Sequence, residues 1–395
     1  MITAQELNIL MQESTRDSIE RNIDRTPTDI ALDRRVENSA LVATQVKYLQ
    51  RAKSKLPSYF EARCIIPSLA FEQSSSEATA STKTISGESL LELTCGLGVD
   101  TFHLSKRFDR VTTIERNEIL AEVARENFRR LGASNVEVIT ASSEDFLANC
   151  NQSFDWIYAD PDRRSDEGRK LVRLEDCSPN MLSIKERLNQ ISRIGTMIKC
   201  SPIFDVDEAF RLYEGADVEV VSLHDECKEV VIIARKNSST QHIIVTPIQH
   251  AISTLINCEQ LIFIRSEIDN IPSREPFIPE QYKWLIIPDV SLQKSRTAVH
   301  ALRGVADIWS NNGFGFSSQK PTSKYGRVFE IDEVTDFRPK ELNKRLAKRG
   351  VEILKRDFEI PQNQITKQLK LKSGAEIQLA LTTIEGRNLA IFLKR

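Results

Sequence analysis

ELTCGLGVD, residues 92–100, runs an apolar strand into a turn with two glycines and on into a helix. Gly96 and Gly98 let the backbone approach a ligand at the start of that helix, where doubly wound sheets bind nucleotides. The dinucleotide fingerprint wants Gly or Ala where Thr101 stands, so the turn points to a ligand without phosphates. Outward from this turn the same rhythm repeats. SLLELTC (89–95), RVTTIER (110–116), NVEVITA (135–141), FDWIYAD (154–160) and GTMIKCSP (195–202) read as strands. GLGVDTFHLSKRF (96–108), NEILAEVARENFRRLG (117–132) and MLSIKERLNQIS (181–192) read as helices, the second closed by Gly132. VEVVSLHDECKEVVIIARK (218–236) reads as two strands joined by a polar turn. This alternation predicts an α/β fold, a parallel sheet covered on both faces, with an antiparallel hairpin added at its edge.

The 395 residues leave room for two or three domains, and 40% hydrophobic with 28% charged residues is ordinary for a globular chain. A net charge of −2 gives no global basic signature, so a nucleic-acid partner would need local patches. Seven cysteines without a C-x-x-C pair argue against structural zinc and for reduced, cytoplasmic thiols. The five histidines show no ligand spacing, and no metal site is expected. Neither a signal peptide nor an apolar run long enough to cross a membrane is visible, so a cytoplasmic location is expected. Residues 1–87 read as a helical region, with Thr26-Pro27 and Asp29 marking one helix start. Within it, KYLQRAKSKLP (47–57) is either a solvated helix face or a phosphate-contacting one. Near its end, Ser74 to Ser76 ahead of Glu77 form a capping signal. Nothing in the sequence speaks to oligomeric state.

Several acids sit where a nucleotide-like ligand would need them. Glu115 ends the second strand, where a carboxylate accepts hydrogen bonds from ribose hydroxyls; the competing reading is a surface acid at a helix start. Ser142 and Asp145 follow the third strand and either line the adenine side of the crevice or cap a helix. The fourth strand ends in YADPDRR (158–164), which sets a carboxylate, a rigid turn and two guanidinium groups in one place.

On these residues the chain resembles class I S-adenosylmethionine-dependent methyltransferases. Glu92-x-Thr94-x-Gly96-x-Gly98, with Asp100 just beyond, looks like their first motif, Thr94 replacing its first glycine. Glu115 matches their ribose acid, and Asp160-Pro161 their fourth-strand motif. EQSSSEATA (72–80), LTCGLGVDT (93–101), YADPDRR and ECKEVV (226–231) narrow the resemblance to a bacterial subgroup with a THUMP-like C-terminal domain. The resemblance implies a Rossmann-like methyltransferase domain over 88–240 behind the helical region. It also implies a linker and ferredoxin-like segment over 241–321 and a small α+β THUMP-like domain over 322–395.

It further implies S-adenosyl-L-methionine as cofactor, held by Glu92, Thr94, Gly96, Gly98, Asp100, Glu115, Ser142 and Asp145. Asp160 and Pro161 would carry catalysis by accepting hydrogen bonds from a base, as in Asp-Pro-Pro-aromatic loops. Asp162, Arg163 and Arg164 depart from that loop. The arginines would stack on a base or grip phosphate, or else merely pair with acids nearby. Cys200 falls where uracil C5-methyltransferases of RNA carry a nucleophile; a buried, inert thiol is the alternative. Between 340 and 356 stand seven cations, Lys344, Arg345, Lys348 and Arg349 among them, against two acids. Such a run is a solvated face or an RNA-binding patch. The resulting expectation is methylation of a base in structured RNA, tRNA or rRNA. The alternatives are a protein or small-molecule methyltransferase and a catalytically inactive RNA-binding adaptor.

Overall fold

The computed structural model describes residues 2–162, 173–248, 259–270, 274–321 and 325–394. Arg163 and Arg164, and parts of the expected linker, lie outside the described residues. The chain divides into two compact units.

In the first unit the strands are β1 (Gly87–Glu92), β2 (Phe108–Glu115), β3 (Val136–Thr140), β4 (Phe154–Ala159), β5 (Ser192–Cys200), β6 (Asp217–Leu223) and β7 (Glu226–Arg235). Their spatial order is β3-β2-β1-β4-β5-β7-β6. The pairs β2–β3, β1–β2, β1–β4 and β4–β5 are parallel, whereas β7 runs antiparallel to β5. The expected hairpin is therefore present, with its second strand innermost. β4 is buried at every position, as a strand covered on both faces must be. The order reverses beside β1, so the crevice beyond its carboxyl end opens where the Gly96 turn lies.

Local chemistry sets the helix ends. Asn117 caps the helix Glu118–Leu131 by accepting from the Leu120 amide at 2.9 Å, and Gly132 closes it at φ 72°. Thr26 caps Pro27–Leu32, with proline at the first helical position. The helices before residue 62 share one apolar core with the sheet's own helices, Leu10, Val46, Leu49 and Tyr59 packing with Leu97, Phe102 and Phe128. Polar contacts fix the register of that interface. The Tyr59 hydroxyl donates to the Leu97 carbonyl at 3.0 Å, and the buried Asn127 amide bridges the Ile65 N–H and C=O, each at 2.8 Å.

The second unit holds an antiparallel pair, His242–Ile248 with Leu261–Ile264, and a seven-stranded sheet. That sheet runs Asp307–Ile308, Gly315–Ser317, Trp284–Pro288, Gly326–Asp336, Arg387–Leu393, Lys372–Ile384, Gly350–Lys355. Helices Pro339–Leu346 and Gln362–Gln368 bury Leu342, Leu346, Ile365 and Leu369 against Leu379, Leu381 and Phe392. Leu285, Phe316 and Ile391 belong to a second core. As a sequence, RVFEIDEV (327–334), PKELNKRLAKRG (339–350) and VEILKRDF (351–358) read as one β-α-β unit. The structure places two other strands between its two members and adds the helix Gln362–Gln368. QNQITKQ buries only Ile365, too little apolar pattern to show in sequence.

The two glycines of the turn differ in what surrounds them. A Cβ on Gly98 (φ +83°) would lie 2.5 Å from Cζ of Phe128, whereas one on Gly96 (φ +57°) meets nothing within 4 Å. Both Ala variants bear the left-handed backbone cost of about 1–2 kcal/mol. Gly98→Ala adds a clash with a core ring. In chemical denaturation Gly98→Ala should lose clearly more stability than Gly96→Ala; equal losses would contradict this packing.

Candidate functional site

The carboxyl ends of β1, β2 and β4 and the segments following them line a cleft of about 750 Å³. Gly96, Gly98, Glu115, Ser142, Asp160 and Pro161 all line it. Strand pairing thus brings most of the residues singled out in the sequence to one place.

Thr94, where the first-motif glycine is replaced, accepts from the Asp160 amide at 2.8 Å and ties the end of β1 to the end of β4. Glu115 accepts from the Gly96 N–H and the Asn117 N–H, both at 2.9 Å. It therefore braces the glycine turn from the neighbouring strand while lining the cleft, and burial raises its pKa above the ordinary value. Ser142 caps the helix Ser143–Asn149, accepting from the Asp145 N–H at 3.0 Å and donating to the Asp145 carboxylate at 2.7 Å. Asp145 is exposed and, among the described residues, is not one that lines the cleft. Its capping role is the one visible in the geometry.

Glu92 is 1% exposed at the foot of the cleft, and both the Thr101 and Thr113 hydroxyls donate to its Oε2. Desolvation dominates, so its pKa is pushed up to about 8 despite those two donors. Asp100 meets the opposite fate. Burial works against its charge, but the Lys199 and Lys83 ammonium groups hold its pKa far below the usual carboxylate range. Lys83 Nζ lies 2.9 Å from Asp100 Oδ1, and the Ser75 and Tyr158 hydroxyls donate to Oδ2 at 2.8 and 3.0 Å.

The cluster continues to Lys199 on β5, whose Nζ lies 2.6 Å from Asp160 Oδ2 and 2.7 Å from Ser75 Oγ. Glu229 on β7 completes it, 3.0 Å from Lys83. Sequence reading did not single out Ser75, Lys83, Lys199 or Glu229 as a group. The one signal available was a lysine in the otherwise apolar strand TMIKC.

The segment after Pro161 is tied back by the antiparallel bridge between Asp162 and Ser178. Arg116 reaches the same point, its guanidinium 3.3 Å from Ser178 Oγ and 3.6 Å from Asp162. Ser76 caps the short helix Glu77–Ala80, and Ser74 and Ser75 line the cleft. Cys200 is 1% exposed and, among the described residues, is not one that lines the cleft. No group of three His, Cys, Asp or Glu side chains among the described residues could hold a metal. Nor is any described helix long and apolar enough to cross a membrane.

In the second unit Lys344, Arg345, Lys348 and Arg349 are exposed. Their excess charge is smaller than the run suggests. Arg345 donates to both Glu333 oxygens, at 3.1 and 2.7 Å, and Arg349 lies 3.6 Å from Glu376. Both acids come from neighbouring strands outside the 340–356 window.

Residues 90–164 match the model of a methyltransferase domain, and residues 326–395 that of a THUMP-domain-like module. A tRNA/tmRNA (uracil-C(5))-methyltransferase from a Nitratiruptor species is 33% identical over 146 residues, 31% of this chain and 39% of that protein. A 23S rRNA (uracil(1939)-C(5))-methyltransferase of Xylella fastidiosa is 39% identical over 80 residues, 20% of this chain and 18% of that protein. The chain thus spans well under half the length of these relatives. A Porphyromonas gingivalis protein, whose crystal structure is described as that of a candidate methyltransferase, shares the fold. Its TM-score is 0.77 at 24% identity, covering 100% of this chain and 99% of that one.

The Glu92 proton gives a measurable signature. The folded chain holds it up to about pH 8, while the unfolded chain releases it near the ordinary glutamate value of 4.5. The unfolded state therefore binds fewer protons across that window, and this contribution to stability declines as pH rises through it and levels off above. Thermal melts from pH 5 to 9 should show Glu92→Gln with a flatter pH dependence than wild type; an identical slope would contradict a neutral Glu92. The chain joins a methyltransferase domain, matched over residues 90–164, to a THUMP-like domain at residues 326–395.

Proposed function

We propose that the chain is an S-adenosylmethionine-dependent methyltransferase that modifies a base in structured RNA, tRNA or rRNA, in the cytoplasm. The observation that carries the reading is the convergence of the Gly96 turn and the Asp160-Pro161 strand end on one cleft. The named activities of the curated relatives support RNA as the substrate class. The fourfold division at residues 87, 240 and 321 belongs to the same reading.

The residues present fit the cofactor. The open space over Gly96 accepts a ligand at backbone distance, and Glu115, already oriented by two N–H donors, is available to ribose hydroxyls. Gly98, Thr94, Ser142 and the helix cap made with Asp145 shape the remaining wall. Glu92 and Asp100 act beneath it, the first through the two threonines and the second through the lysines.

When bound, the cofactor supplies an electrophilic methyl group, so the chain need only present a nucleophile in line with it. Asp160 and the Pro161 carbonyl accept hydrogen bonds from the base and aim its reacting atom. Arg163 and Arg164 grip the substrate by stacking or phosphate contact, and the THUMP-like domain holds the RNA with Lys344, Arg345, Lys348 and Arg349.

Calorimetric titration should show S-adenosylmethionine binding, and its absence at millimolar ligand would overturn the reading. Asp160→Ala should keep that affinity and lose transfer by about 100-fold or more; unchanged transfer would remove Asp160 from the site. Cys200, buried away from the cleft, leads to a further expectation. Cys200→Ala should methylate at a rate comparable to wild type, and an inactive, cofactor-binding variant would instead assign the thiol a covalent role.

A further inference from the structure

A lysine on the inward side of a covered strand is expensive to bury, and Lys199 is only 5% exposed. Burial opposes its charge, yet Asp100, Asp160 and Glu229 around it raise its pKa above the ordinary lysine value. Around the ammonium group lie Asp160 Oδ2 at 2.6 Å, Ser75 Oγ at 2.7 Å, Asp100 Oδ2 at 3.4 Å and Glu229 Oε2 at 3.9 Å. The anions come from three different elements, and Lys83, 1% exposed, shares Asp100 and Glu229 with it. Of the three acids Asp160, with a side chain 23% exposed, is the most open to the cleft; those of Asp100 and Glu229 are 9% and 1% exposed.

A purely structural pair has no need of that asymmetry. Asp100 and Glu229 already counter the charge of Lys83, and they lie within 4 Å of Lys199 as well. The shortest of the Lys199 ion contacts is nevertheless made to the most open carboxylate. The contact fixes one Asp160 oxygen, while the Asp160 N–H is fixed by Thr94 on the other side. Backbone and side chain of Asp160 are thereby both held before any substrate arrives.

We propose that Lys199 is the positioning residue for Asp160, its caged ammonium group orienting the carboxylate as a hydrogen-bond acceptor for an N–H-bearing edge of the substrate base. The proposal rests on the methyltransferase reading and adds to it a second residue, Lys199. Ser75 and Asp100 orient Lys199 in turn, so the N-terminal segment takes part in positioning the reacting group. No proton is transferred by Lys199, and the residue does not touch substrate.

Single-turnover methyl transfer and calorimetric cofactor binding test this on wild type, Lys199→Met, Lys199→Arg, Asp160→Ala and Lys199→Met/Asp160→Ala. At saturating cofactor Lys199→Met should transfer about 100-fold more slowly, the scale of a misplaced reacting group. Lys199→Arg should recover part of the loss, and the double variant should be no slower than Asp160→Ala alone. Losses that multiply in the double variant would overturn the proposal, because Lys199 would then act independently of Asp160.

Because Met in this cage leaves buried carboxylates short of a partner, Ser75→Ala provides a milder arm. It removes one hydrogen bond from Nζ and should slow transfer about tenfold, an effect that disappears in the Asp160→Ala background. Persistence of the Ser75→Ala effect there would equally overturn the proposal. A wild-type protein that binds no cofactor would overturn the methyltransferase reading itself, a result separate from either of these.

Discussion

Two ammonium groups and three carboxylates packed at the carboxyl edge of the sheet hold the cleft together. Lys83 comes from the N-terminal segment, Asp100 from the helix after β1, Asp160 from the end of β4, Lys199 from β5 and Glu229 from β7. Buried ion pairs contribute little net stability against well-packed apolar groups, but removing one partner is costly. Such a cluster therefore specifies geometry more than it stabilises. The elements that supply it can take few arrangements that leave every charge compensated. This is why the helical N-terminal region belongs to the site and is no appendage.

Around that cluster, environment divides the remaining acids by task. Glu92 is sealed beneath the turn and holds its proton to about pH 8, so it contributes shape and hydrogen bonds without charge. Glu115 sits one strand away with both oxygens on backbone N–H groups and faces the cleft. Two carboxylates on neighbouring parallel strands thus differ because one is fully buried and the other borders open space. Thr94 completes the arrangement by tying β1 to β4, which gives a physical reason for a threonine where a glycine is usual.

Much of this was legible in the sequence because the relevant signals are local. Strand periodicity, the Gly96-x-Gly98 turn, the Thr26-Pro27 helix start, the Gly132 stop and the Asp160-Pro161 strand end each occupy a few consecutive residues. The buried cluster was not legible, because Lys83 and Glu229 are 146 residues apart and Lys199 reads in isolation as one polar residue in an apolar strand. The basic run at 340–356 is partly neutralised, and this was not legible for the same reason. Its neutralising partners, Glu333 and Glu376, arrive from strands outside the window in which charge was counted. The helix Gln362–Gln368 escaped notice because one buried isoleucine leaves no periodic pattern.

On the proposed reading, the open glycine turn, the braced acid beside it and the Asp160-Pro161 strand end present a base edge to an alkylating cofactor. The THUMP-like region, residues 326–395, supplies exposed cations. The most direct measurement is nucleoside mass spectrometry. The purified protein is incubated with methyl-labelled S-adenosylmethionine and total RNA from cells lacking it. The account predicts label in one methylated nucleoside, lost on prior nuclease treatment and absent with Asp160→Ala. Label that persists on protein or small molecules after nuclease treatment, with none in RNA, would contradict it.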